Sequence, residues 1–215
     1  QQGGLLDILY HENFIYFSYS HYFDESKKES STAIARGKLI KNRIQDLEII
    51  FISKPNYTVN KHWGSRIIIK DNQLYASFGD RDKGMVAQDA SKHPGSIIRI
   101  NLDGSIPDDN PHFINRPDWL PEIYLIGLRN PQGMAISPFN KKIFFSQHGP
   151  KGGDNIALVK KGANYGWKEV AWGGKEYSGL KIGTASLKKK FDIPIVIWVP
   201  SIAVSNIQFY DGEIF

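Results

Sequence analysis

Several side chains suited to acid–base or electrostatic chemistry lie next to short apolar strands in this sequence. The first is His62, which comes just before an apolar stretch that begins at Arg66. A histidine there could act as a general base, because its ordinary pKa is near neutrality and small changes in its surroundings tune it. A histidine held by hydrogen bonds in the core or at the surface fits the same position. The position alone therefore leaves both interpretations open.

A second candidate, Arg129, opens an Arg-Asn-Pro turn ahead of the apolar strand Gly133 to Ile136. Its guanidinium could stabilise a developing oxyanion or bind a carboxylate. It could equally serve to tie neighbouring sheets together. The residue type therefore does not separate catalysis from structure.

Two further segments contain oxygen atoms suited to calcium. His148, Gly149 and Pro150 directly follow a strand, and successive main-chain carbonyls are suitable hard-oxygen ligands. An ordinary strand-ending turn has the same composition. Asp80 and Asp82, in the segment GDRDKG, resemble half of a calcium loop, but the glutamate that would complete it is missing. We therefore interpret GDRDKG as a solvated turn.

The strands that must position these residues recur along the chain. Each copy runs from an apolar strand through a polar turn into a second strand: Leu5 to Ser20, Arg66 to Asp80, Gly133 to Gly149 and the beginning of a fourth, Ile207 to Phe215. The turns fall at asparagine or aspartate about 60 to 70 residues apart, and the copies alternate as β-hairpins do. Further strand candidates lie between them: Ser96 to Leu102, Asn155 to Val159 and Ile193 to Val199.

Recurrent hairpins with strands between them predict an all-β fold of the β-propeller type. A β-sandwich would not explain why each hairpin ends in Gly, Ser or Asp at one repeated position. We find no long helical periodicity, and we interpret Trp172 to Lys190 as a long loop. The chain opens without methionine and stops within a strand-like run. We therefore interpret residues 1–215 as one partial propeller domain of about four blades, incomplete and truncated at both termini.

The composition argues against several classes of protein and site. Cysteine is absent from the 215 residues, so neither disulfides nor thiolate metal sites are expected. The net charge is +5, but aromatic residues are not interleaved with the lysines in a stacking pattern, so we expect no nucleic-acid partner. No apolar run approaches the length of a membrane span.

Six motifs occur in one order along the chain: QGGLLD (Gln2 to Asp7), HWGSR (His62 to Arg66), IPDDNP (Ile106 to Pro111), RNPQGMA (Arg129 to Ala135), HGPKGGD (His148 to Asp154) and GANYGW (Gly162 to Trp167). Together they resemble the soluble quinoprotein sugar dehydrogenases, the glucose/sorbosone dehydrogenase family with its aldose sugar dehydrogenase branch. The resemblance covers essentially the whole chain. It implies a six-bladed β-propeller, of which this chain is the central part, with pyrroloquinoline quinone (PQQ) and calcium on its top face.

The resemblance also implies a role for individual residues. His62 matches the base that takes the proton from the anomeric hydroxyl, and Arg129 matches the arginine beside the reacting carbonyl oxygen of the cofactor. Asn130 and His148 match cofactor contacts, and Gln2 matches a glutamine at the substrate end of the pocket. The remaining matches are metal ligands: the carbonyls of Gly149 and Pro150 for a calcium that polarises the quinone, and Asn155 and Tyr165 for a second, structural calcium.

Three departures from the family pattern stand out. Lys61 replaces the Asn or Asp beside the base, and a cation there would either oppose protonation of His62 or point into solvent. Asn155 replaces an acidic residue, which weakens the second calcium site. The basic residues that grip the cofactor's carboxylates in this family lie beyond the end of this chain.

The leading hypothesis is a PQQ- and calcium-dependent oxidoreductase that oxidises aldose sugars at C1 to lactones and passes the electrons to an external acceptor. The alternative is a non-catalytic propeller of the same superfamily that serves as a binding module. The joint presence of His62, Arg129, Gly149 and Pro150 favours the enzyme. A calcium-dependent lactonase would need a central nest of carboxylates, which the sequence lacks. The resemblance also implies a periplasmic or secreted protein.

Overall fold

The chain folds into three four-stranded antiparallel sheets, each made of strands that are consecutive in sequence. The computed structural model describes residues 3–24, 26, 28–184 and 187–214. The first sheet consists of β1 (Leu5–His11), β2 (Phe14–Asp24), β3 (Glu29–Ile40) and β4 (Arg43–Ile52). The second consists of β5 (Gly64–Lys70), β6 (Gln73–Phe78), β7 (Ser96–Asn101) and β8 (Ile123–Ile126). The third consists of β9 (Pro131–Ile136), β10 (Ile143–Gln147), β11 (Asp154–Leu158) and β12 (Val196–Trp198).

The sheets are arranged as neighbouring blades. The first strand of each sheet contacts the first strand of the next, so that β5 packs against both β1 and β9. The remaining strands of each sheet follow outward in chain order. This is the blade arrangement of a propeller. The all-β prediction is confirmed, whereas the number of blades in a closed ring stays a prediction.

Two of the predicted hairpins turn through residues with positive φ at both central positions. The pairs are Glu12–Asn13 (47° and 68°) and Asp71–Asn72 (52° and 57°). Turns of this kind match the right-handed twist of the flanking strands. They require positive φ, which asparagine tolerates, and asparagine is therefore common in them. A third such turn, Lys41–Asn42 (46° and 62°), joins β3 to β4. This hairpin was not predicted from the sequence, since the small and charged residues of its strands obscure the apolar alternation.

The fourth predicted hairpin, Ile207 to Phe215, is wrong for the part of it that the structure describes. Residues 199–214 form no strand, and Phe215 lies outside the described residues. Instead, the ring of Phe209 packs against Phe144 of β10, with the ring centroids 5.0 Å apart. A strand needs a hydrogen-bonded partner, and the described residues 207–214 have no such ladder.

The apolar core fills the spaces between the sheets. Leu74 belongs to a core cluster that includes Tyr16 and Ile34 of the first sheet, while its neighbour Tyr75 packs toward the third sheet. There it joins the cluster that contains Phe145. This period of two, with both faces buried, is what the pleat of a strand between two sheets requires. Burying each large apolar side chain fully contributes about 1.5–3 kcal/mol to the stability of the fold. This packing holds the neighbouring sheets, and with them the ends of their strands, in fixed positions.

Helical structure is minor in the described residues. It comprises a short 3-10 turn at Gly84–Gln88 and the single-turn helix α1 (Pro111–Ile114). The predicted loop Trp172 to Lys190 contains neither helix nor strand in its described residues. In the described ranges, no helix has the length and apolar character needed to cross a membrane.

Candidate active site

Strand ends of the second and third sheets bring four of the polar candidates to one edge. His62 lies just before β5 and Asp80 just after β6, and these antiparallel strands place both residues at the same end of their hairpin. In the third sheet, Arg129 precedes β9 and His148 follows β10 in the same way. The main-chain N–H of Asp80 donates to the Arg129 carbonyl at 2.7 Å. This bond joins the ends of the two hairpins.

His62 is oriented by Asp80. Nδ1 of the ring and Oδ1 of the carboxylate are 2.7 Å apart, and the two side chains are 12% and 2% exposed. The backbone of His62 has a φ of 50°, a conformation that costs a side-chain-bearing residue about 1–2 kcal/mol. Gly79 permits this arrangement, because a Cβ at position 79 would overlap the His62 carbonyl oxygen.

The structure corrects the interpretation of Asp80 as part of a solvated turn. Its carboxylate is buried, and both of its oxygens are hydrogen-bonded. Oδ2 accepts a hydrogen bond from Trp167 Nε1 at 2.6 Å, and Oδ1 accepts from the N–H of Asp82 at 2.9 Å. The Asp82 side chain is 49% exposed and lies 3.5 Å from the ammonium of Lys61. The prediction of a solvated turn is therefore confirmed for Asp82 and Lys83 and is wrong for the buried Asp80 and Arg81. Lys61 is itself 63% exposed, so its cation is directed to Asp82 and solvent.

Trp167 connects Asp80 with Arg129. Its indole N–H donates to Asp80, and the Arg129 guanidinium carbon lies 5.5 Å from the centroid of its ring. Such a cation–π contact is attractive because the ring face carries negative charge density. His62, Asp80, Trp167 and Arg129 therefore form one continuous set of contacts, which we call the His62–Arg129 network.

Arg129 is a buried cation that carbonyl groups hold in place. It is 9% exposed. Its Nη1 donates to the carbonyl of Gly149 at 3.0 Å and to that of His148 at 3.4 Å, and its main-chain N–H donates to the side-chain oxygen of Gln147 at 2.9 Å. No carboxylate forms an ion pair with Arg129 in the described part of the chain. Its charge is thus available to an anionic ligand.

His148 offers an unpaired nitrogen beside this cation. Its Nε2 is buried, with no hydrogen-bond partner among the described residues. Burial lowers the pKa of His148; Asp154 acts in the opposite direction, and Arg129 adds to the lowering. A neutral imidazole can donate one hydrogen bond and accept one. A buried cation beside an unpaired ring nitrogen fits a planar, anionic quinone such as PQQ.

Asn130, the other predicted cofactor contact, is buried within the same edge. Its side-chain oxygen accepts hydrogen bonds from the N–H of Gly64 at 3.2 Å and from the amide of Gln132 at 3.0 Å. Its carbonyl accepts from the N–H of His148 at 3.1 Å. Asn130 therefore ties the second sheet to the third, whatever else it contacts. Gln2, the predicted substrate contact, lies outside the described residues.

The carbonyls of Gly149 and Pro150 suit a hard cation in type. The loop is held by Asp154, whose carboxylate accepts from the N–H of Gly149 at 2.7 Å and from the hydroxyl of Ser201 at 2.8 Å. The Gly149 carbonyl also accepts from Arg129, and the Pro150 carbonyl lies 3.0 Å from the same Ser201 oxygen, whose single proton is shared between this carbonyl and Asp154. Because a carbonyl has two lone pairs, each retains one for a cation. The described residues contain no group of three or more His, Asp or Glu suited to a metal, and two carbonyls are fewer than the six to eight oxygens that calcium takes.

Asn155 and Tyr165 line a cavity of about 20 Å³, room for roughly one water. The Asn155 amide donates to the Gly153 carbonyl at 2.9 Å, and the Tyr165 hydroxyl donates to the Leu158 carbonyl. The described residues that line the cavity include no carboxylate, while Arg129 is among them. These two side chains do not form a calcium site by themselves, and the second calcium stays a prediction.

The whole chain, residues 1–215, matches the family model described as Glucose / Sorbosone dehydrogenase. The chain belongs to this family. It is 36% identical over 224 residues to the aldose sugar dehydrogenase YliI of Escherichia coli, covering 100% of this chain and 59% of that protein. It is 32% identical over 206 residues to quinoprotein glucose dehydrogenase B of Acinetobacter calcoaceticus, covering 83% and 42%.

The fold matches solved structures of the same kind. The crystal structure of the soluble aldose sugar dehydrogenase from Escherichia coli in the apo-form superposes with a TM-score of 0.92 at 34% identity. The match covers 100% of this chain and 63% of that one. The chain thus spans less than two thirds of the length of these relatives.

Proposed function

We propose that this chain is part of a PQQ- and calcium-dependent dehydrogenase that oxidises aldose sugars at C1 to lactones and passes the electrons to an external acceptor. The observation that carries the proposal is the His62–Arg129 network, in which an oriented histidine and a buried cation face one edge of the sheets. Family membership and the printed names of the relatives support the same chemistry. From the family resemblance, we place the protein in the periplasm or outside the cell.

His62 acts as the base in this proposal. A carboxylate only accepts hydrogen bonds, so the hydrogen bond that the His62 ring donates to Asp80 assigns the ring proton to Nδ1. Nε2 is then the basic nitrogen, and it takes the proton from the anomeric hydroxyl of the sugar. Asp80 also stabilises the positive charge that the ring acquires, as the buried aspartate does in a Ser-His-Asp triad.

The reaction removes one proton and one hydride from the sugar. The proton goes to His62 while the C1–O1 bond becomes a carbonyl, which makes the product a lactone. When bound, PQQ would supply the two-electron oxidation at C1, and calcium on the carbonyls of Gly149 and Pro150 would polarise the quinone. Arg129 would donate toward the quinone carbonyl oxygen that gains negative charge. A preorganised cation in a water-poor site is most effective there.

The remaining cofactor, metal and substrate contacts are proposed from the family resemblance. Arg129, Asn130 and His148 would bind the quinone, and the carbonyls of Gly149 and Pro150 would bind the catalytic calcium. Asn155 and Tyr165 are proposed at the second calcium, and Gln2 at the substrate end of the pocket.

The test uses the full-length protein loaded with PQQ and calcium and supplied with a panel of aldoses and an artificial electron-accepting dye. We expect dye reduction that depends on the sugar and on PQQ, with a lactone as product. A correctly loaded sample that binds PQQ or sugar but reduces no dye would favour the binding module instead.

A further inference from the structure

Arg81, the residue after Asp80, is a second buried cation that the proposed reaction does not use. It is 4% exposed, and no carboxylate forms an ion pair with it in the ranges that the structure describes. Burial lowers the pKa of Arg81 to about 10, against the opposing effect of Tyr22 and Tyr57. Burying a charge without a carboxylate partner is costly, so other groups must compensate for it.

The compensating groups are two main-chain carbonyls that precede His62 and the aromatic ring that follows it. Nε of Arg81 donates to the Lys61 carbonyl at 3.1 Å, and Nη2 donates to the Val59 carbonyl. The guanidinium carbon also lies 3.4 Å from the centroid of the Trp63 ring, in a stacked position. Arg81 therefore contacts the residue before His62 and the residue after it.

This contact coincides with unusual backbone geometry. His62, Gly64 and Ser65 have φ values of 50°, 63° and 73°, and Arg81 itself has a φ of 51°. Residues with side chains persist in this region only where surrounding contacts hold them there. The segment before β5 thus needs support, and Arg81 supplies two hydrogen bonds and a stacked face.

We propose that Arg81 is a positioning residue for His62. It holds residues 59–63 so that the His62 backbone keeps its left-handed conformation and the ring meets Asp80. Asp80 fixes the ring while its neighbour Arg81 fixes the backbone. The catalytic consequence rests on the proposed role of His62 as the base.

Lysine cannot replace this arginine. The planar guanidinium reaches two carbonyls at once and stacks on an indole, whereas an ammonium group is a compact point charge. Arg99 provides a matched control, because it is 6% exposed and its guanidinium carbon lies 4.9 Å from the centroid of the Tyr124 ring. Its hydrogen bonds go to Asn110 and Asp109, away from residues 59–63.

The experiment compares Arg81→Lys with Arg99→Lys in the full-length protein. Two properties are measured: the ¹⁵N NMR signals of the His62 ring, assigned with His62→Gln, and the kinetics of the PQQ-loaded enzyme. In Arg81→Lys we expect the hydrogen-bonded Nδ1 signal to be lost or averaged and kcat to fall at least ~10-fold, with KM for the sugar within about twofold. In Arg99→Lys we expect a lower Tm with both properties kept.

An unchanged His62 ring signal in Arg81→Lys would overturn the proposal, whatever happens to turnover. Equal losses of kcat and of the ring signal in the two variants would also overturn it, because they would indicate a general loss of stability. If Arg81→Lys does not fold, Arg81→Gln is measured in the same way. A wild-type protein that oxidises no sugar would reject the proposed function, while the NMR comparison would still test the role of Arg81.

Discussion

Asp80 and Trp167 are 87 residues apart in the chain, yet the indole Nε1 donates to the carboxylate Oδ2 at 2.6 Å. Asp80 belongs to the strand end that follows β6, and Trp167 belongs to the segment between β11 and β12. The third sheet therefore completes the surroundings of a histidine that the second sheet carries. Fixing one oxygen of Asp80 also fixes the other, which is the oxygen that meets His62.

Asp80→Asn tests this relationship. The amide oxygen of asparagine would accept from Trp167, which leaves its NH₂ group facing Nδ1 of His62. The ring would then carry its proton on Nε2 and lose its basic nitrogen. We expect kcat to fall about 10²–10⁴-fold, as for the wrong tautomer in a Ser-His-Asp triad, and Tm to fall moderately, because an NH₂ group at this position cannot accept from the N–H of Asp82. Wild-type turnover in a folded Asp80→Asn enzyme would reject the assigned tautomer.

His62→Ala separates chemistry from cofactor binding. Loss of a positioned base should lower kcat by about two to four orders of magnitude. The dissociation constant of PQQ, measured by calorimetry, should change much less, because Arg129 remains. Turnover equal to that of the wild type would exclude His62 as the base.

Arg129→Ala should lower both kcat and the affinity for PQQ. The guanidinium would act on the bound anion and on the charge that develops in the reaction, so PQQ affinity and kcat should fall together. Arg129→Lys keeps the charge without the planar fork and should give intermediate values. Unaltered PQQ affinity in Arg129→Ala would show that this cation does not contact the cofactor.

Lys61→Asn should have little effect. The Lys61 ammonium lies 3.5 Å from Asp82, and its side chain is mostly exposed. Solvent screens such a charge, so we expect kcat within about twofold of the wild type. The pH–rate profile is the measurement, and a displaced acid limb would show that Lys61 acts on the base after all.

Acid should destabilise the protein through Glu122. Its carboxylate lies 2.7 Å from Nε2 of His93. Burial acts to raise the pKa of Glu122, but the hydrogen bond and charge interaction with His93 outweigh it, and the pKa is lowered. A carboxyl with a lowered folded pKa contributes stability above its unfolded pKa, about 4.3, and loses it as pH falls through the folded value.

Thermal melts between pH 7 and pH 3 measure this contribution. Glu122→Gln should have a lower Tm at pH 7 and a smaller further loss of Tm below pH ~4.3 than the wild type. Parallel Tm curves for the two proteins across this range would contradict the assignment.

Local signals explain what the sequence could predict. Asn13 and Asn72 mark their turns because asparagine tolerates positive φ, and alternation within a few residues marks the flanking strands. The surroundings of Asp80 could not be predicted in this way. Its partner Trp167 is distant in sequence, and GDRDKG carries the same turn signal whether buried or exposed. One usable signal was its place two residues after a strand whose hairpin partner follows His62.

The outermost strand of the third sheet, β12, pairs with β11 after a connection of residues 159–195. Trp167 lies early in this connection, and the buried side chain of Ile182 packs with it, whereas most of residues 175–184 are exposed. Insertions between these two anchors would leave the registers of β9, β10 and β11 intact. The exposed part of this segment can therefore change in length and sequence during evolution without altering the strand pairing that positions Arg129 and His148.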